Sequence, residues 1–514
     1  MLQTITECCR SFKWNKKGNV AILFGLALVP IALAIGAAAD YGRGLAVRNR
    51  MADAADAAAL AIGSWQGLTQ EQLKQRAQQF FDANYPSSEM GTAGKLNVSF
   101  AGDDIKVEVS GTVPTTFLKL ANINSLDVGA SSTVTKRQRN IELALVLDTT
   151  GSMGSSGKMS AMQTAAKKMV TDLFNGNATS DSLVAAVVPF AGAVNVGTAM
   201  KSKDWIDDQA KSDIATEDYN SNKTKTFDLY EELSDYKSSW NWDGCVRERD
   251  GDAYELTDAA PSTSTPASLF APYLAPDEAD DDHDEGDNYS NSYIEDGNCG
   301  TNNDNRRKAI KCQEYTGKYD DPRRDEYGAP GPNWNCPPQA ITALTNTKST
   351  VTTAIDALQP SGNTVIPAGL LWGWRVLSPG APFTEGKGKD DEERVRAIVL
   401  LTDGENMVSG GGNGKNNSVY NAFGYARKGH LGRSNGNQAE SELNDKTETV
   451  CSRVKADGIL VYTIGFRVND TTTQNMLKNC ATKPDMYYNS PSNSQLAAIF
   501  NDIAQGLSEL RIAQ

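Results

Sequence analysis

Histidine is nearly missing from this 514-residue chain, which holds only His283 and His430. Neither stands in an HExxH run or a ligand-spaced cluster, which weighs against zinc hydrolases and against Ser/His/Asp or Cys/His catalysis. No CxxC occurs among the eight cysteines, so redox dithiols and ribbon-type zinc sites lack their usual signature. A cationic surplus is missing as well: 50 Lys and Arg against 64 Asp and Glu leave a net charge of −14, which argues against nucleic acid as the main partner. Most of that acidity is local. The run Asp277–Asp287 carries eight carboxylates, and the rest of the chain is left with only −6. We read the run as a solvated charge stretch rather than a calcium loop, because it lacks the Gly and terminal Glu spacing of one. Gly410–Lys415 fails the phosphate-loop pattern and reads as a flexible loop.

What is present is enough to fold. With 39% hydrophobic and 8% aromatic residues the chain can build a core, and its length calls for more than one domain. From Val20 to Ala39 no charge occurs. A helix of that length spans about 30 Å, the hydrocarbon thickness of a bilayer. Ala37-Ala38-Ala39 resembles a signal cleavage site, but the apolar core is too long for one, so a retained anchor is favoured. Arg10, Lys13, Lys16 and Lys17 precede the span, against Arg43, Arg48 and Arg50 after it. That imbalance favours residues 1–19 in the cytoplasm and export of the bulk of the chain across the membrane. There Cys245, Cys299, Cys312, Cys336, Cys451 and Cys480 form an even set in an oxidising space. Proximity within composition blocks favours Cys451 with Cys480; sequence alone leaves the remaining connectivity open.

Ala-rich Leu45–Trp65 continues the membrane helix as a stalk. Alternating residues at Leu96–Phe100, Ile105–Val113 and Leu126–Val134 predict a small sheet packed on it. Residues 40–136 thus read as a compact α+β unit, closed by the charged linker Lys136–Arg139. Beyond it the period changes. Ile141–Leu147, Leu183–Phe190, Val395–Leu401 and Ile459–Phe466 read as buried strands, alternating with helices at Lys158–Phe174, Val351–Leu358, Pro367–Leu377, Glu440–Ala456 and Gln495–Leu507. The alternation predicts an α/β, Rossmann-like domain over residues 140–510, with a mostly parallel sheet covered by helices on both faces. Residues 205–338, rich in Asp, Asn, Ser, Gly and Tyr and holding four cysteines, interrupt the pattern and read as a disulfide-stapled, acidic surface insertion. Trp372 and Trp374 read as helix-packing residues, not a carbohydrate platform.

Two polar loops leave buried strands: Asp148-Thr149-Thr150-Gly151-Ser152 and Thr402-Asp403-Gly404-Glu405-Asn406. Carboxyl ends of strands in such a sheet are where ligands bind. Pro360–Thr364, before the helix that opens at Pro367, can bring a further hydroxyl to the same rim. An all-oxygen donor set suits a hard divalent cation, Mg²⁺ in the first place, with Mn²⁺ or Ca²⁺ as alternatives. The competing reading of Asp148 is a helix cap or Asx-turn, and that of Thr364 an ordinary loop hydroxyl.

Asp148-x-Thr150-x-Ser152 with Thr364 and Asp403 resembles the metal-ion-dependent adhesion site of von Willebrand factor type A domains. The resemblance implies that Thr150, Ser152 and Thr364 ligate through hydroxyls and that Asp148 and Asp403 act directly or through water. Thr150 stands where Ser is commoner, which keeps the hydroxyl. Lys17–Ala21, Asp40–Arg43 and Met51–Ala61 resemble the TadE/TadG-like families of Flp (tight-adherence) pilus assembly, in which TadG-type proteins join such an anchor to a type A domain. Leu23 stands where a pilin processing signal would want Glu. The resemblance implies a non-enzymatic envelope protein, anchored once in the bacterial inner membrane with a pilin-like α+β unit and the bulk of the chain in the periplasm, that binds other Flp/Tad components through the metal. A surface adhesin using the same site is the alternative, and a metal-assisted hydrolase with Asp403 or Glu405 as base is the weakest reading.

Overall fold

The computed structural model describes residues 19–512 apart from positions 64, 66–67, 87–90, 102–103, 136–138, 252, 281–289, 297–298, 300–304, 324–328, 392–393, 409–415 and 433–435. The cytoplasmic segment, most of the acidic run with His283, the Gly410–Lys415 loop and most of the charged linker therefore lie outside the described residues. The chain divides into two compact units, residues 1–138 with 512–514, and residues 139–511.

The amino-terminal unit is organised by one long helix, α1 (Asn19–Gly63), about 68 Å end to end at the usual rise per residue. Its first part exposes Ile22, Leu23, Phe24, Leu26, Val29 and Ile35, and it is the one described helix long and apolar enough to cross a membrane. Its second part buries Val47, Met51, Ala54, Ala55, Ala58, Ala59 and Ile62, a stripe at helical spacing whose small side chains allow close approach. Against that stripe pack α2 (Gln70–Asn84) and a four-stranded antiparallel sheet of β1 (Thr92–Ala93), β2 (Asn97–Ala101), β3 (Asp104–Pro114) and β4 (Ser125–Thr135). α2, which the sequence reading omitted, opens on a capping box in which Thr69 Oγ1 accepts from Gln72 N and Gln72 Oε1 accepts from Thr69 N. It buries Leu73, Ala77 and Phe81. The three expected strands appear within a residue or so of their expected ends.

In the second unit the strands are β5 (Asn140–Asp148), β6 (Leu183–Phe190), β9 (Thr342–Thr345), β10 (Arg394–Thr402), β11 (Leu460–Phe466) and β12 (Tyr487–Ser490), with a small ribbon, β7 (Val194–Asn195) and β8 (Cys245–Val246), beside them. The sheet order is β12-β11-β10-β5-β6-β9, parallel throughout except for the antiparallel edge strand β9. β5 and β10 are buried along almost their whole length because both faces are covered. Ile141, Leu143, Leu145 and Leu147 of β5 face α3 (Lys158–Leu173), α6 (Lys348–Ala357) and α10 (Asn493–Ile512). Ala144 and Val146 face the opposite layer, which holds α7 (Ile366–Leu377), α8 (Gly436–Ala456) and α9 (Thr471–Cys480). A Cβ on Gly373 of α7 would stand 2.4 Å from Val146 Cγ2, so that helix lies on the sheet only because glycine is there.

The insertion is not a surface decoration. Trp205, Leu233, Trp240, Trp242, Phe270 and Tyr293 share one core with α7 and the sheet. Arg375 of α7 makes a buried bidentate pair with Glu248, at 2.9 and 2.7 Å. The segment contains α4 (Thr226–Tyr236) and α5 (Asn305–Glu314) as well as the β7–β8 ribbon. Its polar composition concealed the aromatic residues that anchor it. At the head of the acidic run, Asp277 and Glu278 are buried, where solvated charges were expected: Asp277 pairs with Lys318 at 2.6 Å, and burial pushes Glu278 up to about 7. Trp372 and Trp374 are buried, as expected of packing residues. The disulfides are Cys245–Cys336, Cys299–Cys312 and Cys451–Cys480; the last joins α8 to α9 and matches the proximity pairing.

Candidate metal centre

The chain builds β5, β6 and β9 outward in one direction, then returns past β5 to lay down β10, β11 and β12 in the other. Between β5 and β10 the winding reverses, the place at which an open α/β sheet brings loops of its carboxyl edge together. Leu147 is paired with Leu401, so Asp148 ends one strand level with Thr402 on the next and Asp403 follows immediately.

A continuous hydrogen-bond chain links the loops. Asp148 Oδ1 accepts from Thr150 N at 2.8 Å, and its Oδ2 accepts from Thr402 Oγ1 at 2.7 Å. Thr150 Oγ1 and Ser152 Oγ lie 3.0 Å apart, and Ser152 Oγ donates to Asp403 Oδ1 at 2.6 Å. The structure thus brings Asp148, Thr150, Ser152 and Asp403 to one rim. The first bond is the Asx-turn that a structural Asp would also make. Helix capping does not explain the set, because α3 begins at Gly157 in a left-handed conformation with no side-chain cap. Thr364, only 6% exposed, stands on the adjoining loop, held through backbone: Gly151 N donates to Gly362 O at 2.9 Å, Ser361 N to Thr149 O at 2.7 Å, and Met407 N to Thr364 O at 2.9 Å.

Two residues that the sequence reading did not select complete the arrangement. Lys158 Nζ donates to Asp403 Oδ2 at 2.7 Å, with the carboxylate side chain fully buried and the lysine side chain 14% exposed. A cation in the first turn of a helix opposes the helix dipole, and that anomaly is the signal by which Lys158 could have been found. Asn406 Oδ1 accepts from Ile366 N at 2.8 Å and its Nδ2 donates to Asn444, so it ties the Thr364 loop to the end of β10. Electrostatically the rim is short of positive charge, since two buried carboxylates share one ammonium. Burial and the neighbouring Asp403 charge push Asp148 up to about 6 despite the hydroxyl and amide donors around it. The oxygen-only donor set fits a hard cation, and Lys158 already places a monovalent one on Asp403. Among the described residues, the other grouping of ligand-type side chains is Asp296, Cys299 and Cys312, whose two sulfurs are taken up by a disulfide.

An open, mostly parallel sheet in this order, with its loops meeting at the switch point, makes the second unit a Rossmann-like α/β fold. Residues 18–63 match the family model described as "Putative Flp pilus-assembly TadE/G-like", so the amino-terminal segment is similar to that family, and its apolar helix fits a single-pass membrane anchor. Solved structures show similarity at low identity. The pilus adhesin SpaC from Lactobacillus rhamnosus GG, in its open conformation, is 11% identical over 82% of this chain and 34% of its own, with a TM-score of 0.34. The vWF domain of the type V pili tip protein Mfa5 from Porphyromonas gingivalis is 11% identical over 73% of this chain and 97% of its own, TM-score 0.34. Proximal thread matrix protein 1 from the mussel byssus, with a zinc-occupied MIDAS motif, is 14% identical over 73% of this chain and 47% of its own, TM-score 0.30. The chain spans about a third of the length of SpaC. No curated protein matches the sequence.

Proposed function

We propose that the chain is a TadG-type protein of Flp/Tad pilus assembly, anchored in the bacterial inner membrane by α1. In this reading residues 40–136 form a periplasmic stalk unit, and residues 140–510 form a type A domain that binds another envelope protein through a metal ion. The hydroxyls of Thr150, Ser152 and Thr364 would hold Mg²⁺, with Asp148 and Asp403 ligating directly or through water. The bound cation would supply an open coordination position for a partner carboxylate or hydroxyl. The protein's own part is to hold these oxygens in register and to leave Lys158 able to withdraw. The observation that carries the proposal is the unbroken hydrogen-bond chain from Asp148 to Asp403 at the switch point, with two buried carboxylates to one ammonium. We read the role as binding rather than turnover, because the loops hold oxygens in a cation-ready arrangement.

Affinity capture from envelope extracts with and without Mg²⁺ tests this. Flp/Tad components are expected to be retained only with metal; equal retention in chelator contradicts the reading. Surface labelling of intact cells separates assembly from adhesion, since a periplasmic domain stays unlabelled and an adhesin does not.

Acid should weaken the metal site. Asp148 must lose its proton to ligate, and its value of about 6 in the metal-free protein means that protons compete below that pH. Calorimetric Mg²⁺ titrations are expected to give a Kd about tenfold higher at pH 5 than at pH 7.5. A flat profile would exclude Asp148 as a ligand.

A further inference from the structure

The connection between β3 and β4 presents three large apolar side chains to the outside: Phe117 is 45% exposed, Leu120 81% and Ile123 45%. Its conformation is fixed. Asp40 of α1, 2% exposed, accepts from the backbone N–H groups of Thr116 (3.0 Å), Phe117 (2.8 Å) and Leu118 (2.8 Å). Thr115 Oγ1 donates across the base of the loop to Ile123 O at 2.5 Å, Ile123 N donates to Leu118 O at 3.1 Å, and Arg43 Nη1 donates to Thr116 Oγ1 at 2.8 Å. A loop held by hydrogen bonds from three backbone amides to one buried carboxylate still leaves its apolar side chains uncovered, although soluble surfaces seldom leave such residues grouped.

Its position says what covers it. Gly36 lies four residues before Asp40, about 6 Å along the helix and inside the uncharged stretch that ends at Ala39. A Cβ on Gly36 would stand 2.4 Å from Phe117 Cβ, so the Phe117 side chain rests directly on the apolar part of α1, one turn within it. The loop thus continues the exposed apolar surface of Ile31 and Ile35 sideways from the helix. Lys119 on the loop, Arg43 on the next turn of α1, and Tyr41, 69% exposed, supply the basic and aromatic groups that suit the headgroup layer.

We infer that residues 116–123 form a lipid-binding wedge: Phe117, Leu120 and Ile123 insert into the phospholipid leaflet around the exit of α1, and Asp40 sets their depth and direction. The occupant is the bilayer itself, chosen because the patch is continuous with the apolar surface of α1. The wedge sits within the outer part of the acyl region, about 5–10 Å deep. It gives the stalk unit a second attachment beside the helix and restrains its tilt on the membrane. The inference rests on the reading of α1 as a membrane span.

The test uses the full chain, with Cys8→Ser and Cys9→Ser and the disulfides intact, in phosphatidylethanolamine/phosphatidylglycerol vesicles. An environment-sensitive thiol probe is placed in turn on the L120C, L28C and K74C variants, and quenching by nitroxide-bearing lipids is compared with quenching by aqueous iodide. Lipid quenching of the L120C probe at least about fivefold above that of the K74C probe is expected, together with strong quenching at L28C. Quenching at L28C with a K74C-like response at L120C overturns the wedge and leaves the span standing. No lipid quenching at L28C overturns the span and, with it, the wedge. Protection of the L120C probe from iodide without lipid quenching assigns the patch to a second protein copy and overturns the inference. Asp40→Asn should lower lipid quenching at L120C severalfold while L28C is unchanged; an unaltered L120C signal would remove Asp40 from its positioning role.

Discussion

Asp403→Ala is expected to raise the Kd for Mg²⁺ by about a hundredfold or more, while Lys158→Met is expected to lower it by about tenfold. The opposite signs follow from one contact. Asp403 Oδ2 takes Lys158 Nζ at 2.7 Å and its Oδ1 takes Ser152 Oγ at 2.6 Å, so in the proposed site the lysine holds a carboxylate that the ion would need. A charge-assisted hydrogen bond of this kind contributes about 1.5–3 kcal/mol, and metal must displace it. Methionine keeps the length of the stem and removes the competitor. Asp403 is also the cleaner deletion. Both Asp148 oxygens anchor the loop through Thr150 N and Thr402 Oγ1, so substitution there disturbs the backbone as well as the ligand set. Calorimetry on the three proteins decides the matter, with thermal unfolding in chelator to show that the variants are folded. Tighter binding by Lys158→Met with no loss in Asp403→Ala would place the ion elsewhere. Loss of binding in both would make Lys158 part of the site's scaffold rather than a competitor for it.

The parts of the fold that sequence made legible are those in which burial is extreme. β5 and β10 are covered on both faces, so each reads as a run of aliphatic residues ending in a polar loop, and the rim could be located from two such runs about 250 positions apart. The edge strands are a different matter. β9 is four residues of Thr-Ala-Leu-Thr with one buried side chain, and β12 is Tyr-Tyr-Asn-Ser; neither shows a period long enough to detect. The insertion misled for a related reason. Its buried aromatic residues are scattered among Asp, Asn and Ser, and they meet partners far off in sequence: Trp205 with Phe270, Trp240 with Tyr293, and Phe270 with Trp372 of α7. At the rim, the proposed oxygen ligands stand out by type and spacing. Lys158 is marked only by its place against the helix dipole, and the partner that explains it, Asp403, lies 245 positions away in sequence.

Removing the Cys245–Cys336 bridge should destabilise the second unit more than removing either of the others. It closes 91 residues, against 29 for Cys451–Cys480 and 13 for Cys299–Cys312. Loop-closure entropy of the unfolded chain alone gives losses of about 4.6, 3.6 and 2.9 kcal/mol in that order. Paired Cys→Ala variants compared by denaturant unfolding check the ranking. The long bridge also reaches the metal rim. Cys336 follows Asn335, whose Oδ1 accepts from Asn363 N at 3.1 Å and whose Cα would lie 3.1 Å from a Cβ on Gly362, so the bridge steadies the loop that carries Thr364. Asn335 in turn donates from Nδ2 to Tyr420 O at 2.9 Å, with its backbone in the left-handed region. Loss of Cys245–Cys336 is therefore expected to weaken Mg²⁺ binding severalfold even under conditions where the domain stays folded, whereas loss of Cys299–Cys312 leaves the affinity unchanged. Equal metal affinity in both variants would show that the Thr364 loop is held well enough by its backbone bonds to Thr149 and Gly151, and that the insertion contributes stability to the fold without shaping the site.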